Sequence, residues 1–89
     1  MDNAWKQNAL KIIEKIFQEQ FFDDSLCITE YTTPAEIEEW DSLAHVNLLA
    51  AIENAFDIRF TAEDMANIDS IYVLISTMAE RGANKLSQH

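Results

Sequence analysis

The stretch "EEWDSLAHVNLLAAIENAFDIRF", residues 38–60, decides how this chain folds. From Ser42 to Ile52 it carries no formal charge, in a chain that has 16 Asp and Glu against 6 Lys and Arg. Leu43, Val46 and Ala50 fall on one stripe at helical spacing, and Leu49, Ile52 and Phe56 on another. Only His45, Asn47, Glu53, Asn54 and Asp57 interrupt them. A helix this apolar nearly all round is normally central, with little of it left to water. Asp41 or Ser42 opens it. The tripeptide Asp-Ser-Leu at its mouth occurs a second time, at Asp24-Ser25-Leu26, so the tripeptide by itself assigns nothing.

The flanks supply the rest of an all-α bundle. Upstream, Trp5, Ala9, Ile12, Ile13, Ile16 and Phe17 mark the apolar face of a first helix of about four to five turns, capped by Asp2 or Asn3. The pattern then breaks over "FFDDSLCITEYTTP". Thr33-Pro34-Ala35-Glu36 reads as a capping box with proline at the first helical position, which predicts a short turn of helix before Trp40. Phe21, Phe22, Leu26, Ile28 and Ile37 are expected to pin the loop to the core. Cys27, with no basic group nearby to activate it, is expected to be a buried small apolar residue. Downstream, Thr61 caps a short helix through Met65 to about Ile68, with Glu63 and Asp64 in its first turn. Asp69 or Ser70 caps the last helix, whose stripe is Ile71, Leu74, Ile75 and Met78, and Gly82 sits where a helix stop is expected. The expected architecture is a small four-helix bundle: three longer helices, one short one and a long first loop. Residues 1–89 form a single domain, with about 83–89 a frayed tail.

Composition narrows the function. The formal net charge of −10 repels phosphate backbones and anionic headgroups and favours basic protein surfaces. Nucleic acid and membrane insertion are therefore not expected. The longest apolar runs, Leu48–Ile52 and Ile71–Ile75, are far too short to span a bilayer. Cys27 is the only cysteine, which fits a reducing compartment, and "MDNAWKQNALKIIEK" lacks the layout of a signal peptide. A cytoplasmic monomer is expected. His45 and His89 are too few and too separated for a metal site, and no calcium loop is present. His45 lies one turn beyond Ser42, but a serine–histidine hydrolase would need a nucleophile elbow and an oxyanion-hole sequence that this chain lacks. No catalytic residue is assigned.

The two serines differ in the segments that come after them. Ser42 stands at the amino end of the central helix, where unpaired N–H groups and the helix dipole favour an attached anion such as a phosphate. Ser25 leads into Cys27, Ile28, Thr29, Tyr31, Thr32 and Thr33 without a helical period. An ordinary helix cap or first-turn residue is the alternative for Ser42.

Taken with its surroundings, the chain resembles the acyl carrier protein family. The likeness runs from "WDSLAHVNLLAAIENAFDIRF" through "TAEDMANIDSIYVLI", and the long first loop and the acidic balance agree with it. The resemblance implies that Ser42 bears 4′-phosphopantetheine, donated by coenzyme A through a phosphopantetheinyl transferase, and that the arm holds an acyl group as a thioester. The protein would be a non-catalytic carrier, the substrate of that transferase and of an acyl- or aminoacyl-loading ligase, serving an acyltransferase or synthase with a basic docking surface. Asp41 and Leu43 would flank the arm. His45, Leu49 and Glu53, in line with Ser42, together with Glu63, Asp64 and Met65, are the expected docking residues. Glu39-Trp40 before the motif, then Ala44, His45 and Asn47, depart from the fatty-acid-synthesis pattern. They imply a stand-alone carrier of a specialised pathway, such as polyketide, modified polysaccharide or aminoacyl transfer chemistry. The alternatives are an aminoacyl or D-alanyl-type carrier, and an unmodified helical interaction module of the same fold.

Overall fold

The computed structural model describes residues 3–82, and among them it contains four α-helices and no strand. Helix α1 (Asn3–Gln20) is followed by a long loop that holds one 3-10 turn (Pro34–Glu36). Then come α2 (Ser42–Phe56), α3 (Ala62–Asn67) and α4 (Ile71–Glu80). This is the expected bundle of three longer helices and one short one. Asp2 and the tail at 83–89 lie outside the described residues, so their expected roles do too.

The starts of α2, α3, α4 and the 3-10 turn are written locally. The Asp41 carboxylate accepts the N–H of Ala44 at 2.9 Å, and the Ser70 hydroxyl accepts that of Val73 at 3.2 Å. Thr61 and Asp64 cap α3 reciprocally, at 3.0 and 2.9 Å. At the 3-10 turn, the Glu36 carboxylate accepts from both the N–H and the hydroxyl of Thr33. Gly82 takes φ +94 just past α4, the left-handed stop expected of it.

The core gathers one face from each long helix: Trp5, Ala9, Ile13 and Phe17 from α1, Ala44, Leu48, Leu49 and Ile52 from α2, and Ile71, Leu74, Ile75 and Met78 from α4. Two expectations about these faces are corrected. Ile12 stands at the margin of the α1 stripe and is exposed. On α2, the stripe Leu43, Val46 and Ala50 points to solvent, with Leu43 72% and Val46 52% exposed. The helix is not wrapped by the bundle; its second apolar stripe is open.

The long loop is fastened by backbone groups as well as by side chains. Gln18 donates to the Leu26 carbonyl, and the Ile28 N–H donates to Glu14. The carbonyl of buried Thr32 accepts the N–H of Ile71 at the start of α4. Ile28, Ile37 and Trp40 are buried, and Phe21 and Leu26 pack partly against the core. Phe22 does not: with φ 54 it turns outward and is 95% exposed. Cys27 is exposed as well, since the loop has only one inward face here and Ile28 takes it. Among the described residues, no helix is long and apolar enough to cross a membrane.

Candidate functional site

Ser42 is the first residue of α2 and is exposed. Of the first N–H groups of this helix, that of Ala44 is taken by Asp41 and that of His45 by the Asp41 carbonyl. The N–H groups of Ser42 and Leu43 have no acceptor among the described residues, and they lie at the positive end of a fifteen-residue helix. Ser25 sits in a turn instead, where its hydroxyl donates to Asp23 at 2.6 Å and its N–H to the same oxygen at 3.0 Å. The two copies of Asp-Ser-Leu thus have different environments: one serine is open on a helix, the other is committed to its own loop.

Beside Ser42 lies an open groove of about 470 Å³, lined by Pro34, Trp40, Asp41, Ser42, His45, Val46, Met65 and Ala66. Its floor is made by Trp40, which is buried and meets the Phe17 ring edge-on, with centroids 5.0 Å apart. His45 forms the join between its walls. The indole Nε1–H of Trp40 donates to His45 Nδ1 at 3.0 Å, and His45 Nε2 lies 2.9 Å from the Met65 carbonyl oxygen. An indole N–H can only donate and a carbonyl can only accept, so the network assigns the neutral imidazole with its proton on Nε2.

The residues of the expected docking line along α2 differ in exposure and in what they bond. Leu49 is 1% exposed, because α2 turns the Leu48–Leu49–Ile52 face to the core. His45 is half-buried and spends both ring nitrogens on internal bonds. The Glu53 carboxylate accepts the N–H of Phe60 at 2.7 Å and its carbonyl accepts that of Ile58, so it organises the turn after α2. Asp57, in the left-handed region at φ 55, ends the helix there. Asp64 is committed as well: Arg81, the residue that caps α4, reaches it with Nε at 2.8 Å and a terminal nitrogen at 2.6 Å, a two-pronged pair onto α3. Hydrogen bonds from Arg81 and then from the Thr61 N–H hold the Asp64 carboxyl well below the usual aspartate range.

Glu63 is exposed, Met65 is half-buried in the groove wall, and Leu43 is open next to Ser42. Val46 and Ala50, which periodicity alone puts inside, extend the open apolar strip from Leu43. Their i, i+3, i+7 spacing is the visible signal. Trp40 and Pro34, which line the groove, carry no such signal as site residues.

No family model matches the sequence, and no curated protein matches it. Among solved structures it is similar to a holo acyl carrier protein from Geobacter metallireducens, determined by NMR in solution. The two superpose with a TM-score of 0.76 at 31% identity, over 91% of this chain and 93% of that one.

Proposed function

The chain belongs to the acyl carrier protein family, and from that premise we propose that it carries an acyl group as a thioester on a 4′-phosphopantetheine arm attached to Ser42. The observation that supports this most is the pair of free N–H groups of Ser42 and Leu43 around an exposed serine hydroxyl. A phosphodiester on that oxygen would sit at the end of a long helix dipole with two donors at hand. Asp41 fixes this first turn through Ala44 and keeps Ser42 presented to the transferase. The residues present therefore fit the group. Once bound, the arm supplies the thiol that holds the cargo, at high effective concentration near each docked enzyme. The chain itself supplies the anchor, the apolar groove next to it and the surface that partners recognise.

That surface is the strip of Leu43, Val46 and Ala50, with Glu63 of α3 as an exposed acid beyond it. The overall charge of −10 steers it towards basic enzyme faces: the phosphopantetheinyl transferase, a loading ligase, and an acyltransferase or synthase. The pathway is a specialised one, since Trp40 and His45 stand where the fatty-acid-synthesis carriers have other residues.

Intact-mass measurement after incubation with coenzyme A and a broad-specificity phosphopantetheinyl transferase tests the reading. The wild type gains one phosphopantetheinyl unit, Ser42→Ala gains none, and Ser25→Ala behaves as wild type. A folded wild-type protein that stays unmodified would be an interaction module rather than a carrier, and a modified Ser25 peptide would move the site.

A further inference from the structure

Helix α3 is six residues long and buries no side chain of its own. Arg81 holds its first turn through Asp64, and the buried residues Phe60 and Ile68 anchor the segments on either side. Its last turn is held differently. The Met65 carbonyl is among the final carbonyls of a helix, which have no intrahelical partner, and His45 of α2 lies against it at 2.9 Å. The other face of the same imidazole receives the Trp40 indole at the end of the long loop. One ring thus joins three separate elements around the groove that Ser42 lines.

We propose that His45, held as the neutral tautomer with its proton on Nε2, is a positioning residue that clamps Trp40 and α3 to the first turns of α2 and so sets the shape of the groove beside Ser42. Its bearing on the arm and cargo rests on the reading of Ser42 as the attachment site. The clamp itself can be tested on the unmodified protein, so the two ideas fail separately.

The two halves of the clamp respond differently to a proton. A proton on Nδ1 faces the Trp40 N–H, two donors with no acceptor between them, and that bond is lost. The bond to Met65 survives, since Nε2 remains a donor and a helix carboxyl end tolerates a cation. Protonation therefore frees the loop wall of the groove rather than α3. Few charges surround the ring. Asp41 is the one other ionisable residue lining the groove, and it is bonded to Ala44. On α3, Asp64 is paired with Arg81, which caps the end of α4, and Glu63 is exposed; in the loop, Glu38 and Glu39 are exposed.

Amide hydrogen exchange and the Trp40 indole N–H resonance read the clamp in the apo protein. His45→Phe keeps an aromatic ring but removes both bonds. His45→Gln offers one acceptor and one donor and does not titrate. In His45→Phe, amides from Met65 to Ile68 exchange roughly tenfold faster, the scale of a single lost hydrogen bond, while those of Ile13, Phe17 and Leu48 keep wild-type protection. His45→Gln restores the protection. The Trp40 indole N–H resonance moves upfield in His45→Phe, where its acceptor is gone, and stays near its wild-type position in His45→Gln, whose amide oxygen accepts in its place. Unchanged exchange in α3, or a uniform rise that includes α1, would overturn the proposal. So would an indole resonance that is the same in His45→Phe as in the wild type. Should His45→Phe fail to fold, His45→Ala, which also removes both bonds, is read in its place.

Discussion

Replacing Leu49 and Val46 by alanine, one at a time, separates packing from docking on α2. Leu49 is 1% exposed and lies in the same core as Ile13, Phe17 and Ile52. Truncating a buried leucine to alanine costs about 2–5 kcal/mol, through lost transfer energy and the cavity left behind. A domain of this size has roughly 4–13 kcal/mol of stability in all, at 0.05–0.15 kcal/mol per residue. Taking about 3 kcal/mol as the cost, the melting midpoint of Leu49→Ala falls by roughly 12–24 °C, since 1 kcal/mol corresponds to about 4–8 °C in a small domain. Val46 is 52% exposed on the other stripe. Its truncation removes little buried area, and alanine is the better helix former, so the midpoint stays within about 3 °C of wild type. Docking reverses the order. With the variants held well below their midpoints, Val46→Ala binds the transferase about fivefold more weakly, the equivalent of roughly 1 kcal/mol at an apolar contact. Leu49→Ala binds as wild type. Thermal denaturation by circular dichroism and transferase titration measure the two effects. A Leu49→Ala protein that melts like wild type but docks poorly would return Leu49 to the docking surface and refute the assignment of the two stripes.

Two further substitutions test single bonds. Asp41→Ala removes the cap on the Ala44 N–H and lowers stability by about 1 kcal/mol, whereas Asp41→Asn keeps a capping oxygen and melts as wild type. If the carboxylate also presents Ser42, Asp41→Asn is modified more slowly than wild type; equal rates reduce Asp41 to a cap. For Asp64, whose carboxyl is held below its usual 3.8, the stabilisation is complete above that value and is lost as the pH falls beneath it. The difference in melting midpoint between wild type and Asp64→Asn is therefore largest near neutrality and shrinks in acid, below about pH 4. A constant difference from pH 7 to pH 3 would show that the Arg81 pair contributes nothing through charge.

The features legible in the sequence are local ones. Asp41, Thr61 and Ser70 announce helix starts because a cap acts over three residues, and all three make the expected bond. Ser42 and Ser25 are told apart by the helical period after one and its absence after the other, again a matter of a few residues. Rotation about the α2 axis is not legible. Two apolar stripes with the same spacing satisfy the same periodicity, and only packing against α1 and α4 selects Leu48, Leu49 and Ile52 for the inside. The loop carries no period at all, so nothing marks Phe22 and Cys27 as outward and Ile28 as inward.

Charged and polar side chains mislead for a related reason. Glu53, Asp64 and His45 look free in the sequence because their partners are remote along the chain: Phe60 lies seven residues away, Arg81 seventeen and Met65 twenty. Spacing predicts exposure for such residues but says nothing of what they reach. Each is expected to face a partner enzyme, and each joins one segment of this chain to another. The consequence for recognition is physical. Once these bonds are made, the surface left open beside Ser42 on α2 is chiefly apolar, Leu43, Val46 and Ala50. On the proposed function, long-range charge would set how often a basic partner arrives, and the strip how long it stays. Trp40 and His45, by which the sequence departs from the fatty-acid carriers, are also the residues that build the groove behind that strip. If the chain carries the acyl thioester proposed for it, what distinguishes that cargo is therefore to be sought in the groove rather than in the acidic surface.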